Sequence, residues 1–215
     1  MKGLILKDLY NIAHNSKSML FILVVFALAF IPSSGAQSYI FMSAVLCSMM
    51  IVTTFTFDDK SDWARYAMIM PVSKEDLVAG KFAVMAVFSA AGAVLGLVIG
   101  LLGGLITKNI TLTLSSICEL LFMALAALVF AVIFGSMSIP LVFRFGVEKG
   151  RILLLVSLML PAALFVGAYK LLVLLGVVFT ERLVLVLMCC SPAIAIVWSY
   201  IMYKISCGIF SKKEL

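Results

Sequence analysis

Residues Phe82 to Ile106 read FAVMAVFSAAGAVLGLVIGLLGGLI, an apolar run without a single charged side chain. An α-helix rises about 1.5 Å per residue, so about 20 apolar residues cross the roughly 30 Å hydrocarbon core of a bilayer. The run is therefore predicted to be a transmembrane helix. It decides the fold class, because a helix that is apolar on every side has to be covered by other helices or by lipid.

The rest of the chain repeats this pattern. Of the 215 residues, 65% are hydrophobic and 12% are charged, whereas soluble domains have about 45–50% apolar and 25% charged residues. We predict an all-α polytopic membrane protein, a single transmembrane domain over residues 1–215. The five cysteines accompany the apolar runs without zinc-ligand spacing, which indicates packing. Six transmembrane helices are predicted, near residues 18–31, 37–57, 82–106, 112–138, 152–175 and 183–203, with a turn at 32–35.

Residues 1–17 are predicted to form an amphipathic helix on the membrane surface. Apolar side chains share one helical stripe, and charged side chains are placed around it. Lipid would cover such a stripe next to a transmembrane helix. The stripe is Leu4, Ile5, Leu9 and Ile12, and the charged residues are Lys2, Lys7 and Asp8.

The distribution of positive charge predicts the orientation. Cytoplasmic loops of membrane proteins carry an excess of Lys and Arg, and thirteen of the sixteen such residues fall on one side of the predicted helices. Both termini are therefore expected in the cytoplasm. The thirteen are Lys2, Lys7 and Lys17, then Lys60, Arg65, Lys74 and Lys81, then Arg144, Lys149 and Arg151, and last Lys204, Lys212 and Lys213.

Four glycines in the third predicted helix are spaced four residues apart: Gly92, Gly96, Gly100 and Gly104. This spacing extends the small-x-x-x-small pattern, in which missing side chains let another backbone approach closely within lipid. The stripe is predicted to be a packing surface. It faces either a helix of the same subunit, or a moving helix or partner subunit.

Two ionisable residues lie inside apolar runs, Glu119 in the fourth predicted helix and Lys170 in the fifth. A charge in the membrane centre costs about 2.5–3.5 kcal/mol on insertion scales, and less near the interface. Both side chains are expected to reach water or each other. They form a structural pair, or they line a path for a substrate.

The longest predicted cytoplasmic loop covers residues 58–81, and a second covers 139–151. In the first, Ser73 is placed to cap a short helix whose first turn carries Glu75 and Asp76, next to the positive end of the helix dipole. Apolar side chains in the same loop are of the kind enriched at protein interfaces. They are Trp63, Tyr66, Leu77 and Val78.

These two loops carry a resemblance. The first, with its acidic residues, Trp63, Tyr66, Pro71, Ser73, Lys74, Val78 and Lys81, resembles the first cytoplasmic loop of membrane subunits of type-2 ATP-binding-cassette exporters. The second resembles the matching connection in small bacterial permeases that export peptides, such as the bacitracin-resistance and phenol-soluble-modulin exporters. It contains Pro140, Phe143, Arg144, Phe145, Gly146, Glu148, Lys149, Gly150 and Arg151.

The resemblance implies a permease subunit in the bacterial cytoplasmic membrane, with a short coupling helix at 73–80 that docks on a separate ATPase. ATP and Mg²⁺ would bind that ATPase, and this chain would bind no cofactor. The expected partners are the ATPase, a second permease copy or a paralogue, and the lipid bilayer. The residues expected to couple the two subunits are Trp63, Tyr66, Ser73, Lys74, Glu75, Asp76, Leu77, Val78, Arg144 and Glu148.

The expected substrate is a peptide or an amphipathic, lipid-like molecule that moves outward. The chain has no ATPase motif of its own: Glu75 and Phe82 replace the first Gly and the Ser or Thr of a phosphate-binding loop around Gly80-Lys81. No catalytic residue or metal ligand is predicted, so the chain is not expected to be an enzyme. Nucleic-acid binding is excluded, because the basic residues are not clustered on a soluble face. The alternative is an ATP-independent secondary carrier in which Glu119 couples to protons.

Overall fold

The computed structural model describes residues 2–69, 73–107, 113–174, 176 and 181–212. The described residues form helices and no strands, which confirms the all-α fold class. There are five helical elements. They are α1 (Lys2–Lys60), α2 (Trp63–Ile69), α3 (Lys74–Ile106), α4 (Leu114–Leu174) and α5 (Glu181–Ser211).

Helix α1 is divided at Gly35, whose φ of 83° and ψ of 166° are not helical. A positive φ is easily adopted only by glycine, because other residues carry a Cβ atom. The two arms, residues 2–34 and 36–60, fold back on each other, since the Tyr39 hydroxyl donates a hydrogen bond to the Leu23 carbonyl at 3.2 Å. In one straight helix these residues would be about 24 Å apart along the axis.

Helix α4 is divided in the same way at Gly146, with φ 81° and ψ 172°. The first arm, residues 114–145, continues through Pro140 and most of the segment that was predicted to be the second loop. The change of direction between the two predicted transmembrane helices is therefore concentrated at one glycine.

Four helices of the described part are long and apolar enough to cross a membrane. A shorter apolar helix covers Leu155–Leu171. The chain is thus a multi-pass membrane protein, although this criterion gives fewer transmembrane helices than the predicted six. The four are Lys17–Lys60, Lys74–Ile106, Leu114–Val147 and Leu185–Ser211.

The glycine stripe of α3 packs against the second arm of α1. A Cβ atom at Gly92 would lie 2.5 Å from Cys47 Cβ, and one at Gly100 would lie 3.1 Å from Ile40 Cγ1. At Gly96 it would overlap the Ser43 hydroxyl, which donates a hydrogen bond to the Gly92 carbonyl at 3.0 Å. Gly104 is buried as well. The stripe was predicted to face a helix of the same subunit, or a moving helix or partner subunit. This arrangement supports packing within one subunit.

The N-terminal segment differs from its prediction. Its apolar stripe faces protein and not lipid: Ile12 is buried with Ile51, Val84 and Ile139, and Ile5 and Leu9 pack against the same cluster. The segment continues into the first arm of α1 without a break before Gly35. The reason is available in its sequence, because the stripe contains a carboxylate, Asp8, that lipid could not accommodate.

The first predicted loop is mostly helical. Helix α1 extends to Lys60, and α2 is a separate helix of seven residues. The segment 73–80, predicted to be a short independent helix, forms instead the first turns of α3, which continues to Ile106. Pro71 lies outside the described residues.

Candidate functional site

Residues from four distant parts of the chain meet at one end of the helix bundle. They surround a cavity of about 80 Å³. Each of the four parts was predicted to be cytoplasmic from its Lys and Arg content, so their meeting agrees with a common side. The lining residues are Leu4, Lys7 and Asp8 of the N-terminal segment; Phe55, Asp58, Trp63, Leu77, Gly80 and Lys81 in or beside the first predicted loop; Phe143 of the second predicted loop; and Phe210 near the end of α5.

Two lysines and two aspartates form a closed ring of ion pairs beside this cavity. Lys81 Nζ lies 2.8 Å from Asp8 Oδ2 and 2.6 Å from Asp58 Oδ2. Lys7 Nζ lies 3.3 Å from Asp8 Oδ1 and forms a short contact with Asp58 Oδ1. Each lysine therefore contacts both carboxylates, and the ring has no net charge.

The ring is largely removed from solvent. The side chains of Asp8 and Lys81 are 4% and 8% exposed. Lys81 Nζ also donates a hydrogen bond to Thr54 Oγ1 at 3.1 Å. Asp8 Oδ1 is buried, and its contact with Lys7 lacks hydrogen-bond geometry. A buried charge is tolerated only when it is paired, so each member of the ring depends on the other three.

Aromatic rings cover the ion pairs. The ammonium of Lys7 lies 4.2 Å from the ring centroid of Trp63, and that of Lys81 lies 4.9 Å from the centroid of Phe55. Phe143 contacts Phe55 edge to face, with centroids 4.9 Å apart, and it also contacts Phe210 at 5.0 Å. The ring is thus held between the start of α1 (residues 2–17, called the N-terminal helix below), the other end of α1, α3, α4 and α5.

The predicted cap of α3 is confirmed. Ser73 is its N-cap, and the Ser73 hydroxyl accepts a hydrogen bond from the backbone N–H of Asp76 at 3.0 Å. Glu75 and Asp76 occupy the first turn, as predicted. Lys74 Nζ donates to the carbonyl of Ser211 at 3.2 Å, which connects the start of α3 with the end of α5.

The two apolar residues predicted to contact an ATPase near the start of α3 face inward. Val78 is fully buried, so it has no surface to offer a partner, and Leu77 lines the cavity beside the ring. Val78 would have to leave this packing to serve the contact role predicted for it. The outward-facing apolar residues of this region belong to α2: Tyr66 is 61% exposed and Ile69 is 84% exposed.

In the predicted second loop, Arg144 is exposed and lies over the ring of Phe145, with the guanidinium carbon 5.4 Å from the centroid. Phe145 is itself exposed. The side chain of Glu148 lies outside the described residues. Arg144 thus remains available for a contact with another chain.

The structure does not bring Glu119 and Lys170 together. Both side chains are exposed on the surface of α4, and none of the ion pairs between described residues joins them. The predicted structural pair is therefore not formed. The charges that do pair inside the protein are those of the ring.

The ring was not predicted from the sequence. Asp8 was placed among the residues around the apolar stripe, and Lys7 and Lys81 were counted for topology. The signal was present at Asp8, which follows Leu4 by four residues and precedes Ile12 by four, and so lies within the stripe. An acid there requires a buried cation. In the described part of the chain, no cluster of His, Cys, Asp and Glu could hold a metal ion.

The chain was compared with known proteins. Residues 3–211 match the model of a protein family described as ABC-2 family transporter protein. No curated protein and no solved structure matched the chain. The match covers nearly every residue, including the ring, α2 and the glycine stripe. The chain therefore belongs to the ABC-2 family of transporter proteins.

Proposed function

We propose that this chain is the permease subunit of an ATP-binding-cassette exporter, and that a separate ATPase subunit supplies the energy. Family membership over residues 3–211 carries the proposal. ATP and Mg²⁺ bind the partner ATPase, and the assembled transporter contains two permeases, either two copies of this chain or one copy and a paralogue.

In the proposed topology the chain crosses the bacterial cytoplasmic membrane six times, with both termini in the cytoplasm. Gly35 divides the long apolar helix Lys17–Lys60 into two spans, and Leu155–Leu171 supplies the fifth. The bundle end that contains the ring faces the cytoplasm. The meeting of the Lys- and Arg-rich segments at this end supports the orientation.

The surface that we propose for ATPase docking is α2 together with the first turn of α3. Tyr66 and Ile69 are the exposed apolar residues of α2, and Ser73 and Glu75 are exposed at the start of α3. Aromatic residues are enriched at protein interfaces. Arg144 and Phe145, exposed after the first arm of α4, can extend the surface.

A peptide or an amphipathic, lipid-like molecule is the substrate class that we propose. An apolar cleft of about 430 Å³ lies between the two arms of α1. Methionine side chains adapt to ligands of varied shape, and three of them line this cleft beside two threonines. The lining residues are Met19, Ile22, Leu23, Leu46, Met49, Met50, Val52, Thr53 and Thr56.

Docking is tested by replacing Ile69, which is 84% exposed, with Glu. The chain is purified together with its partner ATPase, and complex formation is measured by size-exclusion chromatography. A charge at the centre of an apolar contact is expected to weaken the complex by about 10- to 100-fold in affinity, as hot-spot substitutions do. The purified chain alone should hydrolyse no ATP.

Ile106→Glu is the matched control. Ile106 is the same residue type, is 82% exposed, and ends α3 about 50 Å from its start. This variant should bind the ATPase like the parent protein. Equal binding by the parent and by Ile69→Glu would contradict the docking surface, and substrate movement without any ATPase would contradict the exporter.

A further inference from the structure

The N-terminal helix and α2 are both attached to the ring of ion pairs, the first through Lys7 and Asp8 and the second through Trp63. Lys7 and Asp8 belong to the N-terminal helix, Asp58 belongs to the end of α1, and Lys81 belongs to α3. We propose that this ring is a rigid link that makes the N-terminal helix follow the movement of α2. The ring residues are positioning residues, and the link rests on the proposed function, which supplies the push on α2.

The link to α2 depends on how this helix is held in place. A helix of seven residues is too short to be stable alone, so its position depends on its contacts. Ala67 of α2 is fully buried, and Trp63 at its start lies against the ammonium of Lys7. Lys7 is held in turn by both aspartates. A displacement of α2 therefore acts on Lys7 and, through it, on the first arm of α1.

Rigidity follows from burial and from the closed pattern of contacts. To separate the N-terminal helix from α3, Asp8 has to leave Lys81, and both side chains are more than nine-tenths buried. Each of the four charges would then lose one of its two partners, because only Lys7–Asp8 and Lys81–Asp58 would remain paired under the aromatic cover of Phe55 and Trp63. Since buried charges are costly to leave without their partners, the segments should stay together while the rest of the transporter changes conformation.

The first test needs no ATPase. The chain contains two tryptophans, so Trp198→Phe leaves Trp63 as the only fluorophore of its kind. Asp8 contacts Lys7 and Lys81, and none of its recorded contacts is with Trp63. If the ring holds α2 through Lys7, Asp8→Asn should raise the acrylamide quenching constant of Trp63 by about twofold or more, because α2 then opens locally.

Asp59→Asn is the matched control for this measurement. It makes the same chemical change at an exposed position outside the ring, and it lies close to Trp63 in the chain. Its quenching constant should equal that of the parent. An unchanged constant in Asp8→Asn would overturn the link. If Asp8→Asn does not fold, the second test decides.

The second test joins the N-terminal helix to α3 by a disulfide bond. A Cβ atom at Gly80 would lie 3.6 Å from Leu4 Cβ, within the range of Cβ distances in disulfides. Leu4→Cys and Gly80→Cys are combined in a chain whose five native cysteines are replaced by Ser. If the N-terminal helix and α3 move as one body, the oxidised protein should retain the ATP-driven activity of the reduced protein.

Loss of activity on oxidation, with recovery on reduction, would show that the two segments separate during the cycle and would overturn the proposal. A reduced protein that has no ATP-driven activity with its ATPase would contradict the proposed function instead. In that case the quenching constant of Trp63 still decides whether the link exists. So does the yield of the disulfide between positions 4 and 80 in the isolated chain that carries Leu4→Cys and Gly80→Cys. A low yield would count against it.

Discussion

Two of the contacts between helices α1 and α3 have opposite chemistry. Along their middle, Gly92, Gly96 and Gly100 lie against a face of α1 that contains Ala36, Ser43 and Ala44, without any charge. At the end of the bundle, the same two helices meet through Asp58 and Lys81. The first contact depends on the absence of side chains, and the second depends on a full set of two positive and two negative charges.

The difference shows that the two contacts have different weaknesses. The glycine contact is destabilised by added volume, because the neighbouring atoms at Gly96 include the backbone of Ile40. The ring is destabilised by the loss of one charge, because the three remaining charges stay buried. A kind of substitution that one contact tolerates should therefore destabilise the other. The difference can be measured as a change in the free energy of unfolding.

The largest effect is expected at the ring. Asp8→Asn or Lys81→Met leaves the ring with one charge in excess and should lower the free energy of unfolding by about 3–5 kcal/mol. The double variant restores a neutral site, since Lys7 and Asp58 still pair. It should be more stable than either single variant. Thermal unfolding in detergent gives the three values, and additive losses would contradict a buried pair.

A smaller effect is expected at the glycine contact. Gly96→Ala adds one methyl group that overlaps the Ser43 hydroxyl and lies 3.2 Å from the Ile40 carbonyl oxygen. Ser43 can rotate only by giving up its hydrogen bond to Gly92, and the backbone of Ile40 cannot move separately. We expect a loss of about 1–3 kcal/mol, as in other overpacked contacts.

Gly208→Ala provides the comparison for that substitution. Gly208 lies within α5 and has no atom within 4 Å of the position of an added Cβ. Alanine favours a helix by about 1 kcal/mol relative to glycine. The two Gly→Ala variants should therefore change the melting temperature in opposite directions. A shift in the same direction for both would mean that the glycine stripe is not a close contact.

The two contacts also differ in what could be predicted. The glycine stripe is a pattern within one segment, so a spacing of four residues was sufficient to find it. The ring joins residues from position 7 to position 81 of the chain. No local pattern reports which lysine meets which aspartate. Only Asp8, inside an apolar stripe, indicated that a buried partner was needed.

Local and tertiary effects separate in the same way at the start of α3. The cap at Ser73 is a local interaction, and its prediction is confirmed. The burial of Val78 depends on packing against other segments, and the contact role predicted for Val78 did not include that burial. The helical continuity from Lys74 to Ile106 was also missed. Ser73 and Gly80 resembled the two ends of a short helix, whereas Gly80 lies against Leu4.

The cap offers a test in which neither burial nor close packing contributes much. Ser73→Ala removes the acceptor for the Asp76 N–H, and such losses typically reduce stability by about 1 kcal/mol. Because Ser73 is exposed, the loss should be confined to the first turn of α3. Hydrogen exchange should accelerate there and stay unchanged near Gly96. Acceleration that extends to the glycine stripe would contradict a local cap.

The smallest effect is expected for charges that are neither buried nor paired. Glu119 and Lys170 are exposed, and neither belongs to an ion pair in the described part of the chain. Since no partner is left behind, Glu119→Gln and Lys170→Met should each change stability by no more than about 0.5 kcal/mol. Their effects should add in the double variant, in contrast to the coupling expected between Asp8 and Lys81. The same thermal unfolding assay compares the two cycles directly. A coupling between Glu119 and Lys170 as large as that within the ring would mean that these charges meet in the assembled transporter, and that burial in the single chain does not decide which charges matter.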